Sequence, residues 1–114
     1  MKISEDGQLL RIFIGESDRW HGQPLYEAIV LKAREMGVAG ATMQRGLMGF
    51  GAASRIHTAK ILRLSEDLPI IIEIVDSADK IDRLLPVIDE MVGEGLVTLE
   101  KVRILQYRHG KKES

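Results

Sequence analysis

The chain has 114 residues, 45% of them hydrophobic and 29% charged, with a formal net charge of -1 and no cysteine. That length suits one domain with its own apolar core, built without metal or disulfide staples. The balance excludes a disulfide framework, a thiol nucleophile and a globally basic nucleic-acid binder, and no apolar run approaches the roughly 20 residues of a membrane span.

The opening "MKISEDGQLL" lacks the apolar centre of a signal peptide, so a cytoplasmic protein with no membrane insertion is expected. "QLLRIFIGE" (8–16) alternates, sending Leu10, Ile12 and Ile14 to one face and Leu9, Arg11 and Phe13 to the other, the pattern of a strand. "SDRWHGQ" reads as a loop, and Pro24 suits the first turn of a helix, where its missing N–H costs nothing. Leu25, Ile29, Ala33 and Met36 then recur at helical spacing, with Gly37 and Gly40 to end the helix. "ATMQRGLMGFG" (41–51) is a second strand with a glycine-rich, bulged end, followed by a long loop at about residues 50–67.

"LPIIIEIVD" (68–76) is a β-branched apolar run, the mark of a central strand. Asp76 or Ser77 can cap the next helix, whose stripe is Ile81, Leu84, Leu85, Ile88 and Met91 or Val92; Pro86 inside it predicts a kink or a split. "GEG" (93–95) is a turn, and "LVTLEKVRILQY" (96–107) the last strand. Its alternation slips between Leu99 and Val102, which predicts a bulge near Glu100–Lys101. Residues 108–114 are expected to be a frayed tail.

The order is βαββαβ: an α+β, ferredoxin-like domain over residues 1–114, core about 8–107, with two helices on one face of a four-stranded antiparallel sheet. Leu9, Phe13, Ile71, Val75, Leu105 and Tyr107 leave the other face apolar, so a second copy of the chain is expected there.

Charge is unevenly spread. Residues 36–65 contain no acid but hold Arg45, Arg55, Lys60 and Arg63, a local +4, which leaves -5 for the rest of a chain totalling -1. A small anionic ligand, an acidic partner surface or plain solvation of a basic loop would each account for it. Gly46, Gly49 and Gly51 can bring backbone N–H groups to a phosphate, yet no Gly-Lys-Ser/Thr follows, and a β-bulge explains them equally. His21 and His57 are candidate general bases. No metal-ligand spacing accompanies them, so neither a metal site nor a resident cofactor is expected, and no residue is assigned a catalytic role. Trp20 and His21 in "DRWHG" can stack a planar ring or cover a core edge. The carboxylates Glu16, Asp18 and Glu73 cannot be paired from spacing alone. With two Phe, two Tyr and one Trp, no nucleic-acid partner is expected.

Over about residues 8–107, "LRIFIGESDRWHGQPLYEAIV", "RGLMGFG", "LSEDLP" and "GLVTLEKVRI" together resemble the PII-like signalling family long filed under a numbered domain of unknown function. The resemblance implies a homotrimer with sheets inward, a ligand bound between subunits, and a long loop that docks on a transporter or enzyme. It places the ligand against Gly49, Phe50 and Gly51 at the loop base; read with the residues around it, Arg45, His57 and Lys60 are the basic groups nearby and Trp20 and His21 the candidate ring contacts. Where true PII proteins carry a basic T-G-x-x-G-D-G-K clamp, this chain has the acidic "VGEGLVTLEK", with Lys101 as the one substitute. The modifiable tyrosine of those proteins has no counterpart between 45 and 69, and the ligand need not be ATP. The leading expectation is thus a trimeric sensor of an adenine nucleotide or another small anion, not an enzyme. The alternatives are a phosphate-ester hydrolase using His57 or His21 at the subunit cleft, and a ligand-free adaptor.

Overall fold

A computed structural model, which describes residues 6–47 and 68–108, places eight elements along the chain: β1 (Asp6–Gly15), β2 (Arg19–Trp20), β3 (Gln23–Pro24), α1 (Leu25–Glu35), β4 (Ala41–Arg45), β5 (Pro69–Ser77), α2 (Ala78–Met91) and β6 (Leu96–Arg103). The main sheet runs β4-β5-β1-β6 with every pair antiparallel, and β2 and β3 form a separate small hairpin. This is the expected α+β, ferredoxin-like order of strands and helices. The long loop at about 50–67 and most of the tail at 108–114 lie outside the described residues.

Alternation on β1 and β5 decides the layers. Leu10 and Ile12 from β1 and Ile70, Ile72 and Ile74 from β5 are fully buried, and Ile29, Ile81, Leu84 and Ile88 of the helices close over them. Each such side chain contributes about 1.5–3 kcal/mol relative to exposure. Helix α1 ends at Gly37, whose φ of 82° is the left-handed conformation a Cβ disfavours, while Val38 N–H closes back on Ala33 O at 3.3 Å.

Three local expectations are corrected, and a fourth, the cap of α2, is met in position only. Pro24 is not in the first turn of α1 but just before it, as N-cap and as the last residue of β3. Pro86 does not split its helix; α2 runs unbroken over 14 residues, and Pro86 is exposed, so the carbonyl it leaves unpaired can meet water. Ser77 is the N-cap of α2 without a side-chain capping bond, and Asp76 is 1% exposed, accepting from Ala39 N at 2.7 Å and Ser77 N at 2.6 Å. The last strand has no bulge: its pairing with β1 runs without a break from Asp6↔Arg103 to Phe13↔Leu96. The hydrophobic slip was misleading because β6 is an edge strand exposed along nearly its whole length, so burial imposes no alternation on it.

The register puts Leu9, Arg11 and Phe13, with Ile71, Glu73 and Val75, on the face away from the helices. At its middle Arg11 donates to Glu73 at 2.8 Å and to Glu100 at 2.9 Å, linking three strands. The hydrogen bond to Glu73, ahead of the other influences, holds the Arg11 guanidinium above its ordinary pKa. Leu105 and Tyr107, expected on this face, lie past the end of β6; both are exposed, and the Tyr107 hydroxyl donates to Ala39 O at 3.3 Å.

Candidate functional site

The antiparallel register gathers one end of β1, β4, β5 and β6 in one place, since Gly15 pairs with Pro69, Arg45 with Ile70 and Phe13 with Leu96. The chain on either side of residues 48–67 is anchored there: Gly46 N donates to Pro69 O and Glu16 N to Leu68 O, both at 2.8 Å. An added Cβ at Gly46 would lie 2.8 Å from Cγ of Pro69, so this close pairing suits glycine.

The β2–β3 hairpin stands at the same end. Asp18 makes the turn that aims it, its Oδ2 accepting from Gly15 N at 3.0 Å while its carbonyl receives Leu25 N at 2.8 Å. His21 at φ 49° and Gly22 at φ 81° are the two central residues, both positive as in a type I′ hairpin turn. Arg19 Nη2 closes the hairpin on Gly22 O at 2.7 Å. The His21 ring lies flat on Trp20, centroids 3.9 Å apart and 9° from parallel. Trp20 is half-buried against the core and His21 is exposed, so the outer face of the imidazole is open to a further planar group.

Arg45, the last residue of β4, forms an ion pair with Glu16, Nη2 lying 2.7 Å from Oε2. This end of the sheet thus carries an arginine, a carboxylate and a two-ring stack. Among the candidate ligand residues, Arg45, Trp20 and His21 share it. Lys101 does not: it pairs with Gln8, seven residues from Gly15, so it sits roughly 23 Å away along the sheet of the same protomer. Gly49, Phe50, Gly51, His57 and Lys60 lie outside the described residues.

Spacing could not reveal the ion pairs. Glu16 meets Arg45 across an intervening strand, and Glu73 meets Arg11, 62 residues away in sequence. Among the described residues no group of three or more His, Asp or Glu is arranged to hold a metal ion, and no helix is long and apolar enough to cross a membrane. A shallow apolar groove of about 400 Å³ lies between α2 and β6, lined by Leu85, Pro86, Ile88, Asp89 and Val97, with β1 and β5 between it and Arg45.

The profile of the family DUF190 (Uncharacterized ACR, COG1993) matches residues 7–104. A UPF0166 protein of Aquifex aeolicus (strain VF5) is 38% identical over 100 residues, covering 86% of this chain and 92% of its own. CPII of Thiomonas intermedia K12, solved bound to ADP, AMP and acetate, superposes with a TM-score of 0.64 at 17% identity, covering 93% of this chain and 94% of the other. A protein of Thermus thermophilus assigned to PII-like signaling superposes with a TM-score of 0.59 at 17% identity, covering 91% and 93%. The fold is therefore PII-like.

Proposed function

The chain belongs to the DUF190 family, and from that footing we propose that it is a PII-like sensor of an adenine nucleotide or another small anion. Copies of the chain, three in number, assemble through the open sheet face, and ligand binds between them at the end that carries Arg45. Binding changes how the chain between β4 and β5 meets a partner protein, a transporter or an enzyme.

The observation that carries this reading is the convergence of Arg45, Trp20 and His21 at the sheet end from which residues 48–67 depart. Arginine suits carboxylate or phosphate, and a two-ring stack suits a base. The likeness in fold to a protein bound to ADP, AMP and acetate supports the ligand class. The assembly is supported by apolar Leu9, Phe13, Ile71 and Val75 on a face that neither described helix covers. Three-fold assembly would let Lys101 of one protomer approach Arg45 of another, although the two are far apart within one chain. No observation favours the hydrolase: His57 is outside the described residues, and His21 is engaged with Trp20.

The test is a thermal-unfolding scan against ATP, ADP, AMP, cyclic AMP, bicarbonate and acetate. A ligand at a hundred times its Kd stabilises by about 2.7 kcal/mol per site. A shift with one of them, together with slower proteolysis between residues 47 and 68, is expected. A flat response across the series rejects the sensor and favours the adaptor.

A further inference from the structure

We propose that Glu16 is a built-in competitor for the ligand's anionic group: its carboxylate holds Arg45, and an oxyanion of carboxylate or phosphate type binds Arg45 by displacing it. The inference rests on the sensor reading above and says which chemical group of the ligand counts and what it must overcome.

Arg45 is paired with Ile70 on β5, Ile70 with Ile14 on β1, and Glu16 stands two residues beyond Ile14 on the same side of the sheet. The side chains therefore meet across two strand spacings, roughly 10 Å. Both backbones are anchored, Arg45 by the β4–β5 ladder continued through Gly46 N to Pro69 O, and Glu16 by its own N–H on Leu68 O. The carboxylate is thus delivered to the guanidinium from a rigid support, with an N···O distance of 2.7 Å.

The same contact is built to exchange. The side chain of Arg45 is 54% exposed while that of Glu16 is 26% exposed, so solvent and solutes reach the cation more readily than the anion holding it. Among the described residues one guanidinium nitrogen, Nη2, makes the contact, although guanidinium offers five N–H donors. A free oxyanion can approach the fork with two oxygens, which makes a stronger pair than one exposed contact. Once displaced, the Glu16 carboxylate is a negative charge beside the bound anion. Affinity is therefore the difference between two anions competing for one arginine, and a neutral ligand has nothing with which to compete. The contact also ties the end of β1 to the end of β4, beside both anchors of residues 48–67. Displacement releases that tie, which couples occupancy to the neighbouring chain.

Titration calorimetry with ADP, AMP and acetate on wild type, Glu16→Gln, Glu16→Asp and Arg45→Gln tests this. Glu16→Gln should bind the anions about three- to ten-fold tighter at low salt, with the gain shrinking as salt rises. Glu16→Asp, which keeps the charge, should stay within about two-fold of wild type, and Arg45→Gln should lose binding. Should Glu16→Gln prove unstable, Glu16→Ser carries the same expectation. Binding by Glu16→Gln alone would support the competition in its strongest form. If Arg45→Gln is impaired but Glu16→Gln binds no tighter than wild type, the competition is overturned and the sensor stands. A Glu16 change that moves only the unfolding midpoint points to a structural pair and overturns it too, as does an Arg45→Gln protein that binds normally. Binding of no probe by any of the proteins rejects the sensor reading together with the competition.

Discussion

Gly95→Ala is expected to be the most damaging small substitution in the turn before β6. Gly95 has φ 156°, in the region that side-chain-bearing residues rarely enter, and a Cβ there would lie 2.6 Å from Phe13 O and 3.1 Å from both Ile14 Cγ2 and Val92 Cγ1. The backbone conformation alone costs about 1–3 kcal/mol for a non-glycine residue. The carbonyl of Phe13 cannot yield, because Phe13 is locked between Ile71 and Leu96 in adjacent strands. Adding the clash brings the expected loss to about 2–4 kcal/mol, a large share of the roughly 5–15 kcal/mol that holds a domain together. At about 4 °C per kcal/mol for a chain of this size, the midpoint should fall by roughly 8–16 °C. Circular dichroism at one fixed protomer concentration measures both, the midpoint by heating and the free energy by urea unfolding. Gly93→Ala is the control, since a Cβ there meets nothing within 4 Å; it should change stability by no more than about 0.5 kcal/mol. If Gly95→Ala matches that control, the steric argument is wrong, and the glycine is there for some other reason.

Asp76→Ala should cost about 2–4 kcal/mol in the same urea assay, because it strips the side-chain acceptor from two backbone donors, Ala39 N and Ser77 N, at a site only 1% exposed. Val75→Asp, in the apolar part of the open face, should dissociate the proposed assembly; sedimentation giving an unchanged mass would count against that interface. His21→Ala should weaken adenine-nucleotide binding by about two- to ten-fold through loss of stacking and leave acetate binding alone, and calorimetry showing equal losses for both would contradict the base-stacking role.

Legibility in the sequence followed burial. The alternation of Leu10, Ile12 and Ile14, and the run of Ile70, Ile72 and Ile74, are forced by a core on one face, and both strands could be read with their inner faces correct. Where burial makes no demand, the reading failed. β6 is exposed along almost its entire length, so the slip from Leu99 to Val102 suggested a bulge that the unbroken ladder lacks. Pro86 obeyed position over propensity, exposed in an α2 that continues past it. At the candidate site, residue type alone singles out Arg45, Trp20 and His21. The partners that define their chemistry, Glu16 across a strand and the flat stack of His21 on Trp20, depend on register and on a hairpin turn with two positive φ values. Lys101 lies at the other end of the sheet from Arg45 within one protomer, a separation that strand direction sets and spacing along the sequence does not reveal.

The position of β1 has a consequence for the order in which the molecule can form. It is the first strand of the sheet, yet both its neighbours, β5 and β6, come from the second half of the chain. The Arg11 contacts with Glu73 and Glu100 close intervals of 62 and 89 residues. During synthesis β1 therefore emerges with Leu10, Ile12 and Ile14 uncovered and no strand to pair with until β5 appears, and its second edge stays open until β6 is made. Such long-range closure is slow and leaves unsatisfied edges exposed for much of translation. The helix α1, which needs only local hydrogen bonds, is the natural temporary cover for Leu10 and Ile12. Weakening α1 should therefore lower the yield of native protein made in cells by more than its effect on the finished fold would suggest.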